Sequence, residues 1–428
     1  MIRRGEKPAG ASGLSCPKVP RSTSLWVGLL LTLVLVGGWN VAASAQKPSH
    51  QSAREVEDLA RGNGLAPVEL TSGGDGGRVI EVTTLADHGT GSLREAVEAA
   101  GPRKIVFKVG GEIWLERELV VRGPFVTIVG ETAPSPGISL MGDSLRLRGH
   151  DIFVRHLRVR VGALPDRSPA GNRDGISIDG SKDGSKPAYN IVVRNVSVAW
   201  SIDEGIAVYG QGSHDIAIEN TIVAEGLFNS IHPKGKHSMG VLVGPLTKDI
   251  LVQNSILMSN RWRNPVVSAG ASAIVVNNLI YNPGASALHF YSARNDKPTM
   301  VSAVNNLVVA GPDTKPILPG FTQGPPAGSR VEFAGNVVRG TSAFDPAEPM
   351  PDGTYVSTDN APVQRKELHP IPATSLDKIL PQIAGARPWD RDETDRRLVA
   401  EIVSGGGKIV DEPTDGRLRS HPTGGTAP

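Results

Sequence analysis

The stretch DILVQNSIL (residues 249–257) sets an apolar run, a polar Gln-Asn pair and a second apolar run side by side. The same pattern recurs as NIVVRNVSV (190–198), DIAIENTIV (215–223), AIVVNNLIY (273–281) and VSAVNNLVV (301–309). A weaker copy is VEFAGNVV (331–338), and DIFVRHLRV (151–159) carries His156 in the asparagine slot. Aligned on Asn195, Asn220, Asn254, Asn278, Asn306 and Asn336, the intervals are 25, 34, 24, 28 and 30 residues. Short strands returning at that spacing predict a parallel β-solenoid with one coil per repeat, each coil burying its apolar side chains on the next. Asparagine suits a corner because it tolerates the left-handed backbone region and hydrogen-bonds nearby backbone. Asn195, Asn220, Asn254, Asn278 and Asn306 are therefore expected to stack in one column. A set of hairpins fits less well, because the interval far exceeds a hairpin and the repeats contain no Asn-Gly turn.

Composition agrees with an all-β chain. Among 428 residues there are 50 Gly and 33 Pro, and 4% are aromatic, which favours turns and short strands over helical bundles. Ahead of the repeats, RVIEVTT (78–84) reads as a strand and GSLREAVEAAG (91–101) as a short helix, with Ser92 and Glu95 as a capping box and Gly101 as the stop. That helix would close the open end of the solenoid, whose first coil otherwise exposes its core. KIVFKVGGEIWL, LVVRGPFVTIVG and ISLMGDSLRLRG supply further coils. The solenoid is expected over 76–345 and a partly helical C-terminal segment packing on it over 346–412, from SLDKILPQIAGA and RDETDRRLVAEIVSGGG. Residues 46–75 read as a linker, disordered over 47–61, and 413–428 as a disordered tail.

The first 45 residues read as an export signal: Arg3 and Arg4, the apolar run LWVGLLLTLVLVGG (25–38), then Ala43-Ser44-Ala45. The apolar run is shorter than the roughly 20 residues that span a bilayer. Removing residues 1–45 takes away five Lys/Arg and one Asp/Glu, leaving 40 basic and 42 acidic residues. The whole-chain net charge of +2 therefore belongs to the signal, and nothing global points to nucleic acid or to an anionic membrane. The single cysteine, Cys16, leaves with it, so an exported chain carries no disulfide. A secreted monomer is expected.

Long coils mark insertions, which collect on one face of a solenoid. The longest are 162–190 and 225–244, with AWSIDEGIAV (199–208) between them and SNRWRNPVV (259–267) just after. Asp174, Asp203, Glu204, His232, Lys234, Lys236, Arg261 and Arg263 thus fall on successive coils, setting carboxylates next to cations along one strip. Each has a local alternative: Asp174 before Gly175 as a turn residue, Asp203-Glu204 as a solvated pair, the lysines as loop charges, an arginine as a structural ion pair. Arg261 and Arg263 alternate in a strand-like segment, which predicts that they point the same way and Trp262 the other.

At these residues the chain resembles the pectate lyase-like family of right-handed parallel β-helix proteins. The likeness runs from VTTLADHGTGSLREAV through VGETAPSPGISL, NRDGISIDG, VSVAWSIDEGIAV, HPKGKHSMGVLVG, NRWRNP and VNNLIYN to AGARPWDRDETDRRLVAEIV. The resemblance implies calcium-dependent β-elimination of pectate. It makes Arg263, followed by Asn264 and Pro265, the catalytic arginine, and Asp174 and Asp203 calcium ligands. It makes Lys234 a substrate-binding lysine. His232, Arg261 and Lys236, on the same strip, are expected to be further contacts to the anionic polysaccharide. The chain departs from the family at Ser268, where a further arginine is frequent, and at Ala207, where a second aspartate is frequent; Glu204 is then the carboxylate that substitutes.

The residue types suit the reaction. Elimination removes the C5 proton of a uronate, α to its carboxylate, and expels O4; Ca²⁺ on that carboxylate stabilises the charge that develops. A guanidinium pKa above about 12 makes arginine an unusual base, and by bare physical chemistry Lys234, or after it His232, is the alternative. Two rivals stand beside a lyase: a β-helix hydrolase, for which Asp203 and Glu204 are the adjacent pair in the strip, and a catalytically silent carbohydrate-binding β-helix.

Overall fold

The computed structural model describes residues 52–291, 295–318, 325–341, 355–357 and 361–419. The expected export signal (1–45) and the end of the tail (420–428) lie outside the described residues. Three parallel sheets of eleven, nine and seven strands wind into a solenoid of about nine turns, each coil giving at most one strand to each sheet. Strand pairing follows the sequence repeat: Ile191, Ile216, Ile250 and Ala273 stand in one row, and Val193, Ile218, Val252 and Val275 in the next but one. These rows point inward and are completely or almost completely buried, so each coil shields the last. The expected solenoid limits are exceeded by one strand, Tyr355–Ser357, which pairs with Arg330–Ala334.

The corner asparagines form a column, with a correction of one residue. Asn195, Asn220 and Asn254 adopt φ near +50°, and in the double-asparagine coils the left-handed position belongs to Asn277 and Asn305, not to Asn278 and Asn306. His156 takes the same conformation, and Gly335 does so in the weakest repeat. Asn278 and Asn306 stand one place later and build an amide ladder: Asn278 Nδ2 donates to Asn306 Oδ1 at 3.0 Å, and Asn306 Nδ2 to Asn336 Oδ1 at 2.9 Å. Asn278 also donates to Val252 O and accepts from Ser255 N–H. Asn278→Leu is expected to cost about 2–5 kcal/mol in urea denaturation, because two buried backbone groups of the preceding coil, Val252 O and Ser255 N–H, lose a partner and the ladder bond to Asn306 is lost. Asn254→Leu should cost about 1–2 kcal/mol, from the left-handed backbone alone.

The solenoid end is closed as expected by the helix Leu93–Glu98, whose Leu93, Ala96 and Val97 enter the core beside Val82 and Ile105. Ser92 caps it by accepting from Glu95 N–H, but the Glu95 carboxylate accepts from Gly91 N–H rather than closing a box. Arg103 secures its far end by donating to the carbonyls of Ala96, Val97 and Gly101.

Two stretches expected to be disordered are ordered. Residues 53–62 form the helix Ala53–Gly62, capped by Ser52 with Glu55, because Val56 and Ala60 find an apolar partner surface absent from their own segment. Pro413 to Arg419 lies on the solenoid, with Leu418 buried beside Met141 and Ala163. The helices Leu376–Ile383 and Glu393–Ser404 confirm the C-terminal expectation, the second stopped by Gly405 at φ +72°. They cover the outer face of the nine-stranded sheet through Leu376, Leu380, Ile383 and Leu398. Their attachment is polar as well. Arg158 and Arg160, both buried, pair with Asp392 and Asp395 from the start of the second helix. Arg397 binds Glu225, Tyr281 donates to Gly406 O, Arg339 pairs with Asp377, and Arg417 reaches back to Glu112.

The seven-stranded sheet positions the site. Its inward residues Leu145, Ile176, Ile206 and Val241 are core, so the alternation puts Arg146, Ser177, Ala207 and Leu242, which pair in register, on the outward face.

Candidate active site

Three successive strands of that sheet, Ile176–Asp179, Glu204–Tyr209 and Met239–Val243, carry a glycine at or just before their start. Gly175, Gly205 and Gly240 stand in one column, and close approach explains them: a Cβ on Gly175 would lie 2.1 Å from Val198 Cγ1, and one on Gly240 would lie 2.4 Å from Arg263 O. The tight column sets the residues before each glycine over the next coil. Asp174 Oδ1 consequently accepts from Glu204 N–H at 3.1 Å and Oδ2 from Ser177 Oγ at 2.5 Å. Carboxylate oxygens of Asp174, Asp203 and Glu204 lie within 4.8 Å of one another.

Asp174 is buried, and burial together with the Asp203 charge pushes its carboxyl up to about 8. Three crowded carboxylates with one proton held back are a donor set short of positive charge. Hard oxygen ligands in that number fit a divalent cation such as Ca²⁺. The turn-residue and solvated-pair alternatives do not hold, since Asp174 and Glu204 are buried and Asp203 nearly so.

Arg263 reaches the cluster from two coils on. It follows the strand Ile256–Met258, its Nη1 is ion-paired to Glu204 Oε1, and its backbone holds φ +60°. That conformation is uncommon for a bulky residue and is fixed by neighbours. Val241 N–H donates to Arg263 O, and Asn264 is tied to Asn260 O and Ser286 O. The expected alternation of Arg261 and Arg263 fails for this reason. Arg261 turns aside, its guanidinium 4.8 Å from the Phe228 ring centroid and 5.5 Å from that of Trp262, so the two arginines do not act as a pair.

His232 lies against Asp203, with Nε2 3.7 Å from Oδ1; its Nδ1 accepts from Lys234 N–H, which leaves the Nε2 proton facing the carboxylate. Burial first, then the neighbouring His237, holds His232 below the usual histidine range, so it is neutral near pH 7. Lys234 and Lys236 are exposed on the same turn, and Lys236 Nζ lies 5.4 Å from the Phe228 centroid. Thus Asp174, Asp203, Glu204, His232 and Arg263 converge, whereas Arg261 and Lys236 flank Phe228 at the rim.

Sequence reasoning missed four contributors. His237 Nε2 is 2.9 Å from Asp203 Oδ1, and its ring stacks on His232 with centroids 3.5 Å apart. Ser177 fixes Asp174, and Phe228 carries the rim cations. His289 pairs with Val266 in the coil after Arg263; burial holds it down to about 4, so it is uncharged. The signals were present as a second histidine in HPKGKH and a serine three residues beyond Asp174.

No protein-family model matches the chain. Curated relatives do: the probable pectate lyase C of Neosartorya fischeri is 32% identical over 360 residues, covering 80% of this chain and 77% of that one. The probable pectate lyase C of Aspergillus terreus is 32% identical over 364 residues, covering 80% and 78%. Among solved structures, the cedar pollen allergen jun a 1 aligns with TM-score 0.52 at 17% identity, covering 76% of this chain and 93% of its own. A variant of Bacillus subtilis pectate lyase aligns with TM-score 0.52 at 12% identity, covering 74% and 94%. At those identities the structural likeness speaks for the fold alone. Fold and relatives together define a polysaccharide lyase. The chain belongs to the pectate lyase family.

Proposed function

We propose that the protein is a secreted lyase that cleaves pectate by calcium-assisted β-elimination, with Arg263 as the base and Asp174, Asp203 and Glu204 as the calcium ligands. The observation that carries this reading is the convergence of three carboxylates within 4.8 Å beside an arginine that is ion-paired to one of them, Glu204. Bound there, Ca²⁺ would neutralise the uronate carboxylate and stabilise the charge that develops on it when C5 loses its proton.

The chain's own residues divide the remaining work. Ser177 and the Glu204 N–H orient Asp174; His237, backed by His232, orients Asp203. Arg263, at the groove edge, takes the C5 proton. Lys234, Lys236 and Arg261 line an electropositive rim for the neighbouring uronates. Among the described residues no helix is long and apolar enough to cross a membrane.

Hydrolysis has one observation in its favour, the raised Asp174 carboxyl, since a general acid must hold its proton near neutral pH. Against it, both Asp174 oxygens are engaged inside the protein. One assay separates the readings. On polygalacturonate with Ca²⁺, elimination is expected to give an unsaturated, ultraviolet-absorbing product, and excess chelator to abolish it. New reducing ends without that absorbance would mean hydrolysis, no new ends a binding protein, and full activity in chelator a metal-free mechanism.

A further inference from the structure

Glu204 answers to two positive partners. Its buried carboxylate belongs to the three-carboxylate group, and the same side chain is ion-paired through Oε1 to Arg263. Asp174 and Asp203 have no such conflict. Their partners in the protein include no arginine or lysine: a serine hydroxyl and a backbone N–H for Asp174, two histidine rings for Asp203. Arg146, the arginine whose charge acts on Asp174, is itself bound to Glu118 and Asp179.

We infer that Arg263 and the divalent cation compete for Glu204, so that the Arg263 side chain sets the cation affinity of the site and cation binding turns that side chain toward the groove. This rests on the calcium reading above. A guanidinium and a divalent cation on one carboxylate repel each other, and Glu204 is buried, where such charges are weakly screened. The backbone cannot relieve the conflict. Arg263 O is held by Val241 N–H, Gly240 leaves no room beneath it, and Asn264 is anchored on two carbonyls. Only the side chain can yield, and it is already about one quarter exposed. Linkage then makes the effect reciprocal: whatever Arg263 costs the cation, the cation costs the Arg263–Glu204 pair.

Calorimetric titration of Ca²⁺ into the chelator-stripped full chain tests this without any substrate. Arg263→Met is expected to tighten binding about tenfold, and Arg263→Lys, whose point charge pairs less well, to tighten it less. Glu204→Gln should weaken binding, and in that background Arg263→Met should no longer tighten it. Circular dichroism would confirm folding, and Arg263→Lys keeps the test open if the methionine variant does not fold. Equal affinity in the wild type and both Arg263 variants would overturn the competition and leave the calcium site standing. No calcium binding by the wild type would overturn both.

Discussion

Arg263→Lys is expected to lower kcat on polygalacturonate by about 10²- to 10⁴-fold with a much smaller change in KM, the range over which a positioned base accelerates proton transfer. Proton abstraction is realised only in the transition state, so its loss falls on kcat. The neighbouring substitution is the control. Arg261→Lys touches a guanidinium stacked on Phe228 and Trp262 and should act mainly on KM. Native activity should also climb toward alkaline pH, as more of the base is unprotonated. Near-native kcat in Arg263→Lys would move the proton to another group, and Lys234 would be tested next.

The second large effect is on stability. Asp174 holds its proton in the folded chain up to about pH 8, far above the ordinary aspartate range. In chelator the native state therefore binds a proton that the unfolded chain has already released. Its contribution is fully present below about pH 4, and is lost as pH rises toward 8. The loss is on the order of 5 kcal/mol, at about 1.4 kcal/mol for each tenfold difference in proton affinity between the folded and unfolded chain. Thermal denaturation in chelator should accordingly give a Tm that falls between about pH 5 and 8. Asp174→Asn should flatten that fall and raise the Ca²⁺ concentration needed for activity. A Tm rising with pH over this interval in chelator would contradict the burial argument.

The repeat made the solenoid legible because one coil must present the same rows as the next, and short apolar runs around asparagine record that demand directly. The one-residue displacement at Asn277 and Asn305 escaped because two adjacent asparagines satisfy the same pattern, and only strand register tells which takes the left-handed backbone. The helix Ala53–Gly62 escaped for a different reason. Its apolar face is small, and what stabilises it lies more than three hundred residues away on Leu376 and Leu380. At the site, residue types and coil order were enough to bring Asp174, Asp203, Glu204, His232 and Arg263 together. Directions were not readable: Arg261 leaves the strip because Arg263 breaks strand geometry, and that break depends on Gly240 beneath it.

A stack of coils joined only to its neighbours could unzip from either end, each coil peeling off at its own small cost. The C-terminal segment changes that behaviour. From Asp377 to Arg417 it bonds to residues as far apart as Arg339 and Glu112, which lie near opposite ends of the stack. The Arg158, Arg160, Asp392 and Asp395 group grips the middle. Fraying at one end must therefore strip a clasp that other coils still hold. The chain is thus expected to melt in a single step because of its last forty or so described residues, and the coils of the candidate site are clasped by a segment that supplies none of that site's carboxylates or cations.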